Sequence, residues 1–168
     1  MTFRKPKSWA TNIKEHGAKP EPIVDPQHLR RSEGANANMS HTVLVVEDEP
    51  NIVLSLQFIL RQAGFTVRVA RDGDQALRAI DDYVPNLVIL DIMLPKQDGF
   101  AVCEAIRANA ACRNVKIIML SAKSREADKE RALALGADEF VTKPFSTRAL
   151  GKMVKDIVTI KKPVHQAK

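Results

Sequence analysis

Five short apolar runs recur along the chain: TVLVV (42–46), TVRVA (66–70), NLVIL (86–90), VKIIML (115–120) and DEFV (138–141). Each is rich in β-branched or aromatic side chains, as strands are. Between them the apolar residues change to a three-and-four spacing. This predicts helices over Asn51–Gln62, Asp74–Tyr83, Phe100–Asn109, Glu126–Leu135 and Thr147–Lys161. Ile52, Leu56, Ile59 and Leu60 make the stripe of the first helix; Leu150, Met153, Val154, Ile157 and Val158 make that of the last. Gly64 and Gly136 fall where helices should stop, each suited to a left-handed C-terminal residue. Strands alternating with helices predict an α/β fold with a parallel sheet. Runs one, three and four are almost wholly apolar, as central strands covered on both faces must be. The second alternates, as an edge strand would.

Open parallel sheets bind ligands beyond the carboxyl ends of their strands. Glu47-Asp48-Glu49-Pro50 follows the first run, Asp91 the third, Ser121-Ala122 the fourth and Thr142-Lys143-Pro144-Phe145 the fifth. Each has an ordinary explanation. Acids before Pro50 suit a helix N-terminus, Asp91 could open a turn, Ser121 could cap a helix, and Lys143 could be a solvated charge. Taken together, these explanations need four coincidences on one edge. Glu47, Asp48 and Asp91 would instead crowd three negative charges, which resist joint ionisation. A hard divalent cation resolves this, and Mg²⁺ commonly takes one or two carboxylates together with a phosphate oxygen. Asp91 is then placed as a nucleophile toward phosphorus. Lys143 can hold one phosphoryl oxygen as a point charge, and the Ser121 hydroxyl can donate to another.

Composition adds little to this picture. A chain of 168 residues suits one domain with a tail. The net charge of +6 favours anionic surfaces without specifying one. Cys103 and Cys112 lack metal-ligand spacing and read as reduced, structural cysteines. No apolar run reaches transmembrane length and the N-terminus lacks a signal-peptide core, so a cytoplasmic location with no membrane insertion is expected. Residues 1–38 hold four of the nine prolines and no sustained apolar period, and are expected to be a disordered basic tail. Trp9 and Ile13 could form one amphipathic turn within it. Met39 could be an alternative start, because a complete domain is predicted from 39 to 162, with a short C-terminal tail at 163–168.

The motifs LVVEDEP, LVILDIMLPKQDGF, IIMLSAK and GADEFVTKPF, in that order, resemble the receiver domain of two-component response regulators. The resemblance runs from about Thr42 to Lys161. It implies a flavodoxin-like (βα)₅ doubly wound sheet with strand order 2-1-3-4-5. It implies that Asp91 is the phosphoacceptor and that Glu47 and Asp48 are the acidic pair for Mg²⁺. The Met93 backbone carbonyl would complete the metal set, with no other cofactor. Ser121 matches the switch hydroxyl, Phe140 the switch aromatic and Lys143 the invariant lysine, with a cis bond expected before Pro144. Because Phe140 carries no hydroxyl, an inward-shifted population is expected even without phosphorylation.

A phosphorylation switch follows. A histidine kinase or histidine phosphotransfer protein would phosphorylate Asp91, and an unknown downstream protein would read the face of helix 4, strand 5 and helix 5. The chain is expected to be no enzyme beyond its own aspartyl phosphorylation and dephosphorylation. With no helix-turn-helix segment after the last helix, specific DNA binding is not expected. The motif wording is nearest to receivers that dimerise through charge pairs on that face. Lys129 and Glu139 are retained here, but Ala149 and Met153 stand where their partners would be. A monomer, or a dimer formed only on phosphorylation, is therefore expected. The alternative is an adaptor that binds partners without phosphorylation. An aspartyl-phosphate phosphatase would need its nucleophile after the first strand and an acid, not Met93, two residues further on. A flavin carrier would need a phosphate-cradling loop where Glu47–Glu49 stand.

Overall fold

The structure, a computed structural model, describes residues 41–159. The tail predicted over 1–38, the tail at 163–168 and the last two residues of the fifth predicted helix lie outside the described residues. The elements run β1 (Thr42–Val46), α1 (Pro50–Gln62), β2 (Thr66–Ala70), α2 (Gly73–Asp82), β3 (Leu87–Asp91), α3 (Gly99–Ala108), β4 (Lys116–Ser121), α4 (Glu126–Ala134), β5 (Glu139–Thr142) and α5 (Thr147–Thr159), with one 3-10 turn at Ala110–Cys112. All neighbouring strands are parallel, in the order β2-β1-β3-β4-β5. The expected flavodoxin-like topology is the one observed.

Burial explains the apolar runs. β1 and β3 are buried throughout, as is β4 after Lys116, whereas the edge strands β2 and β5 are largely half-exposed. Successive strand residues serve opposite faces. Val43, Val45, Leu87 and Ile89 pack with α1 and α5, while Leu44, Val46, Val88 and Leu90 pack with α2 and α3. Three strands end one residue later than their apolar runs. Pairing continues to Asp91↔Leu120 and Ser121↔Thr142, so both polar residues close their strands from within the ladder.

Gly64 and Gly136 have φ of 91° and 94° and end α1 and α4 as expected. One contact set was not legible in the pattern. Asp138, entering β5, accepts from Arg107 Nη2 (3.1 Å), Lys116 Nζ (2.7 Å) and the Ile117 N–H (3.0 Å). Arg107 also donates to the carbonyls of Gly136 and Val115, at 2.8 Å each. This clasp fixes the start of β5 against β4. Cys103 and Cys112 are free and buried, and burial raises both thiol pKa values.

The two glycines separate strain from crowding. A Cβ at Gly64 meets open space, whereas one at Gly136 would lie 3.1 Å from Arg107 Nε. Gly64→Ala is expected to cost only the left-handed backbone penalty, about 1–2 kcal/mol. Gly136→Ala should cost measurably more in urea unfolding, because Arg107 must shift within its clasp. Equal losses would mean that Arg107 yields freely.

Candidate functional site

The carboxyl ends of β1, β3 and β5 converge on one ammonium group. Lys143 Nζ lies 2.8 Å from Asp91 Oδ2 and 2.8 Å from Glu47 Oε2. Its side chain is only 11% exposed, so Lys143 is not a solvated charge. The Lys143–Pro144 bond is cis. Glu49 Oε1 stands further out, 3.7 Å from the same nitrogen.

Glu47, Asp48 and Asp91 can each bring one carboxylate oxygen within 4.8 Å of the others. Glu47 and Asp91 are buried and Asp48 is exposed, which leaves the cluster open on one side. Glu47 Oε1 accepts from the Glu49 N–H at 3.2 Å. Oε2 has only the ion-pair contact with Lys143, which lacks hydrogen-bond geometry, and is buried without a hydrogen-bond donor. A buried carboxylate oxygen whose one partner is an ammonium shared with a second carboxylate is under-satisfied, which is costly. Three hard oxygen donors with one buried oxygen unsatisfied are the set that a small divalent cation would complete. Glu47, Asp48 and Asp91 could therefore hold a metal ion.

Met93, expected to add its carbonyl, lies in the loop after Asp91. Its N–H donates to Asp91 Oδ1 at 3.2 Å and its side chain is exposed. The turn-opening role of Asp91 is thus present beside the lysine contact. Gly99, which the sequence reading passed over, sets how tightly that loop folds. Its N–H donates to the Ile92 carbonyl at 2.9 Å, and an added Cβ would overlap the Asp91 carbonyl. The signal was the Asp98-Gly99 pair, with Asp98 capping α3 through the Phe100 N–H.

Ser121 is buried at the end of β4, but its hydroxyl is engaged elsewhere. It donates to the Lys123 carbonyl (2.9 Å) and accepts from the Lys123 N–H (3.0 Å). It does not cap α4, whose N-cap is Arg125 without a side-chain bond; Glu49, likewise, makes no side-chain cap on α1. Phe140 is half-buried in β5 and packs against the cluster beneath α2 and α3. The site therefore brings together Glu47, Asp48, Asp91 and Lys143, and leaves Ser121 and Phe140 adjacent but separately engaged.

Burial raises the Glu47 carboxyl pKa, and the neighbouring Asp91 adds to this; the Lys143 contact opposes it without cancelling it. For Lys143, burial pulls the pKa down, but the close contacts with the Asp91 and Glu47 carboxylates outweigh it and the net shift is upward. The signs give a pH dependence. A carboxyl raised on folding favours the folded state below its unfolded pKa. That contribution is lost as pH rises through the folded value. In cation-free buffer, Glu47→Gln should thus raise the thermal midpoint at neutral pH, by an amount that shrinks as pH falls toward 5. An unchanged or lowered midpoint at neutral pH would mean that the Lys143 contact outweighs the cost of burying the ionised carboxylate.

The model of the response regulator receiver domain matches residues 43–155. The Bacillus subtilis alkaline phosphatase synthesis transcriptional regulatory protein PhoP is 44% identical over 120 residues, which are 71% of this chain and 49% of the relative. The chain thus spans about half the length of that protein. Among solved structures, one from Chloroflexus aurantiacus is 33% identical with a TM-score of 0.69, covering 72% of this chain and 99% of its own. The signal receiver domain of a signal transduction histidine kinase from Syntrophus aciditrophicus is 31% identical with a TM-score of 0.68, covering 77% and 98%.

Proposed function

This chain belongs to the response regulator receiver family, and from that footing we propose that it is a phosphorylatable signalling switch with Asp91 as the phosphoacceptor. The observation that carries the reading is the Lys143 ammonium 2.8 Å from both Asp91 and Glu47 in a pocket that also presents Asp48. The family is one of signalling switches and not of conventional enzymes. Residues 39–162 form the receiver unit on this reading.

Glu47, Asp48, Asp91 and the Met93 carbonyl would hold Mg²⁺. When bound, Mg²⁺ offsets the negative charge of the carboxylates and of an approaching phosphoryl group. Asp91 attacks phosphorus, and the bond from phosphorus to the donor histidine breaks as the new P–O bond forms. Lys143, already on Asp91 Oδ2, follows the developing charge onto a phosphoryl oxygen. The donor is a histidine kinase or a histidine phosphotransfer protein, and the protein works in the cytoplasm.

Ser121 carries the signal onward. Its two bonds with Lys123 are short-range and near the surface, each with a net value of about 0.5–1.5 kcal/mol. A charge-assisted bond to a phosphoryl oxygen is worth more, about 1.5–3 kcal/mol, so the hydroxyl transfers its donor. Phe140, half-buried beside it, then moves further inward and repacks the α4-β5-α5 face that a downstream protein reads. Transcriptional regulation belongs to the name of the Bacillus relative, and no specific DNA contact is proposed for this chain. The protein acts as a monomer, or as a dimer formed on phosphorylation.

Incubation with acetyl phosphate and Mg²⁺ should add one phosphoryl group by intact mass. The addition should be absent in Asp91→Asn and without a divalent cation. No addition under any condition would favour an adaptor that works without phosphorylation. Sedimentation of the unmodified protein should give a monomer; a tight dimer on the α4-β5-α5 face would contradict the proposed oligomeric state.

A further inference from the structure

The segment from Arg71 to Gln75, which leads out of β2 into the first turn of α2, contributes no carboxylate to the cation cluster, yet it touches both Asp48 and the loop that follows Asp91. At one end Arg71 Nη1 donates to the backbone carbonyl of Asp48 at 3.3 Å, and the Glu47 N–H donates to the Ala70 carbonyl at 3.1 Å. The Arg71 N–H in turn donates to Gln75 Oε1 at 3.0 Å. Gln75 returns two bonds to Asp72, from its N–H to Oδ1 (2.8 Å) and from Nε2 to Oδ2 (3.1 Å). Asp72 Oδ2 also accepts from Lys96 Nζ at 2.8 Å. Lys96 sits in the loop that follows Asp91 and holds a left-handed φ of 66°. Beside this chain of bonds, Gly73 is wedged against Gln97 of the same loop, where an added Cβ would lie 2.7 Å from the Gln97 Cβ.

We infer that residues 71–75 are a brace that sets the distance between the acidic pair just after β1 and the loop after Asp91, with Arg71 and Lys96 as positioning residues for the cation site. Asp72 is the pivot. It is buried, caps α2 and has both oxygens engaged, so it fixes where Lys96 can stand. Arg71 makes no ion pair among the described residues, so its guanidinium is free to serve the Asp48 carbonyl. Asp48 is the exposed member of the carboxylate cluster and has the least packing of its own to hold it. Exposed contacts of this kind add little to global stability. Partners of metal ligands, by contrast, weigh heavily on affinity, because misplacing a ligand weakens every bond the ion makes.

The inference rests on the reading of Glu47, Asp48 and Asp91 as a cation site, and the test separates the two. Mn²⁺ binding to the unphosphorylated 168-residue chain is measured by electron paramagnetic resonance, with Mg²⁺ as competitor. The variants are Arg71→Gln, Lys96→Gly and the two combined. Glycine keeps the left-handed backbone at position 96, and neither change replaces a ligand. Simple electrostatics and the brace predict opposite signs. Removing positive charge near a cation site should tighten binding by Coulomb's law. Loss of the brace should weaken it, by roughly tenfold in the double variant. The urea midpoint in cation-free buffer should stay close to wild type. Asp72→Asn keeps the cap acceptor while losing the charge, and should weaken Mn²⁺ binding in the same direction as Lys96→Gly. Unchanged or tighter binding in the double variant, with wild type binding normally, would overturn the brace and leave the cation site standing. Absence of Mn²⁺ binding by wild type would overturn both.

Discussion

Lys143 is the interaction on which the arrangement turns. Two buried carboxylates from different strands lie against one ammonium, with a third carboxylate at the rim. Buried like charges do not stay together without compensation. The lysine comes from the far edge of the sheet, through the loop after β5, and its nitrogen reaches the ends of β1 and β3 because all strands run parallel and their carboxyl ends share one edge. The sheet order, and the burial that the apolar runs achieve, therefore decide where the charge cluster can form. The lysine compensates only in part. Burial still leaves the Glu47 carboxyl above its ordinary range and one of its oxygens without a hydrogen bond. On the proposed reading, a cation offsets that remaining imbalance.

The strands and the order of chemistry along the chain were legible because they depend on local pattern. Runs such as Leu87–Leu90, short and bounded by turn residues, suit interior strands, and an acid directly after such a run is conspicuous. The same logic read Gly64 and Gly136 correctly as helix stops. It placed Asp91 and Ser121 one residue too far out, since an apolar run marks burial while strand pairing is a backbone matter that polar residues can share. What escaped was interaction between loops. Arg107 reads as one basic residue at the end of a helix, and nothing in its neighbours says that Asp138, 31 positions away, accepts from it. Asp72 reads as an ordinary cap, and its contact with Lys96 depends on two loops meeting across the sheet edge. The resting bonds of the Ser121 hydroxyl were equally hidden, because both go to backbone atoms two residues on and leave no mark in residue identity.

The helices are held unequally, and this bears on how a small displacement at Ser121 could be felt elsewhere. α1 and α5 bury Val53, Leu56, Leu60, Leu150 and Val154 against the strands. α4 buries only Ala132. Its hold on the rest comes also from Arg131, whose guanidinium lies 4.2 Å from the centre of the Phe100 ring, and from the turn at Gly136, which Arg107 grips through the carbonyl. A helix with one fully buried side chain has little packing energy to lose when it shifts. β5 is an edge strand with Phe140 half-buried, so no second neighbour locks that side chain in place.

The Asp138 clasp then acquires a purpose beyond stability. It fixes β5 at its start, through Lys116, Ile117 and Arg107. The Lys143 cluster fixes the chain just past its end. Between these two anchors lie Phe140, Val141 and Thr142, all half-buried. A strand held at both ends but loosely packed between them can exchange side-chain positions without losing register. On the proposed reading, phosphorylation of Asp91 perturbs the second anchor while the first stays in place. The response is then confined to Phe140 and the lightly packed α4. That confinement suits a switch, because the core under α1 and α5 need not be disturbed for the outer face to change.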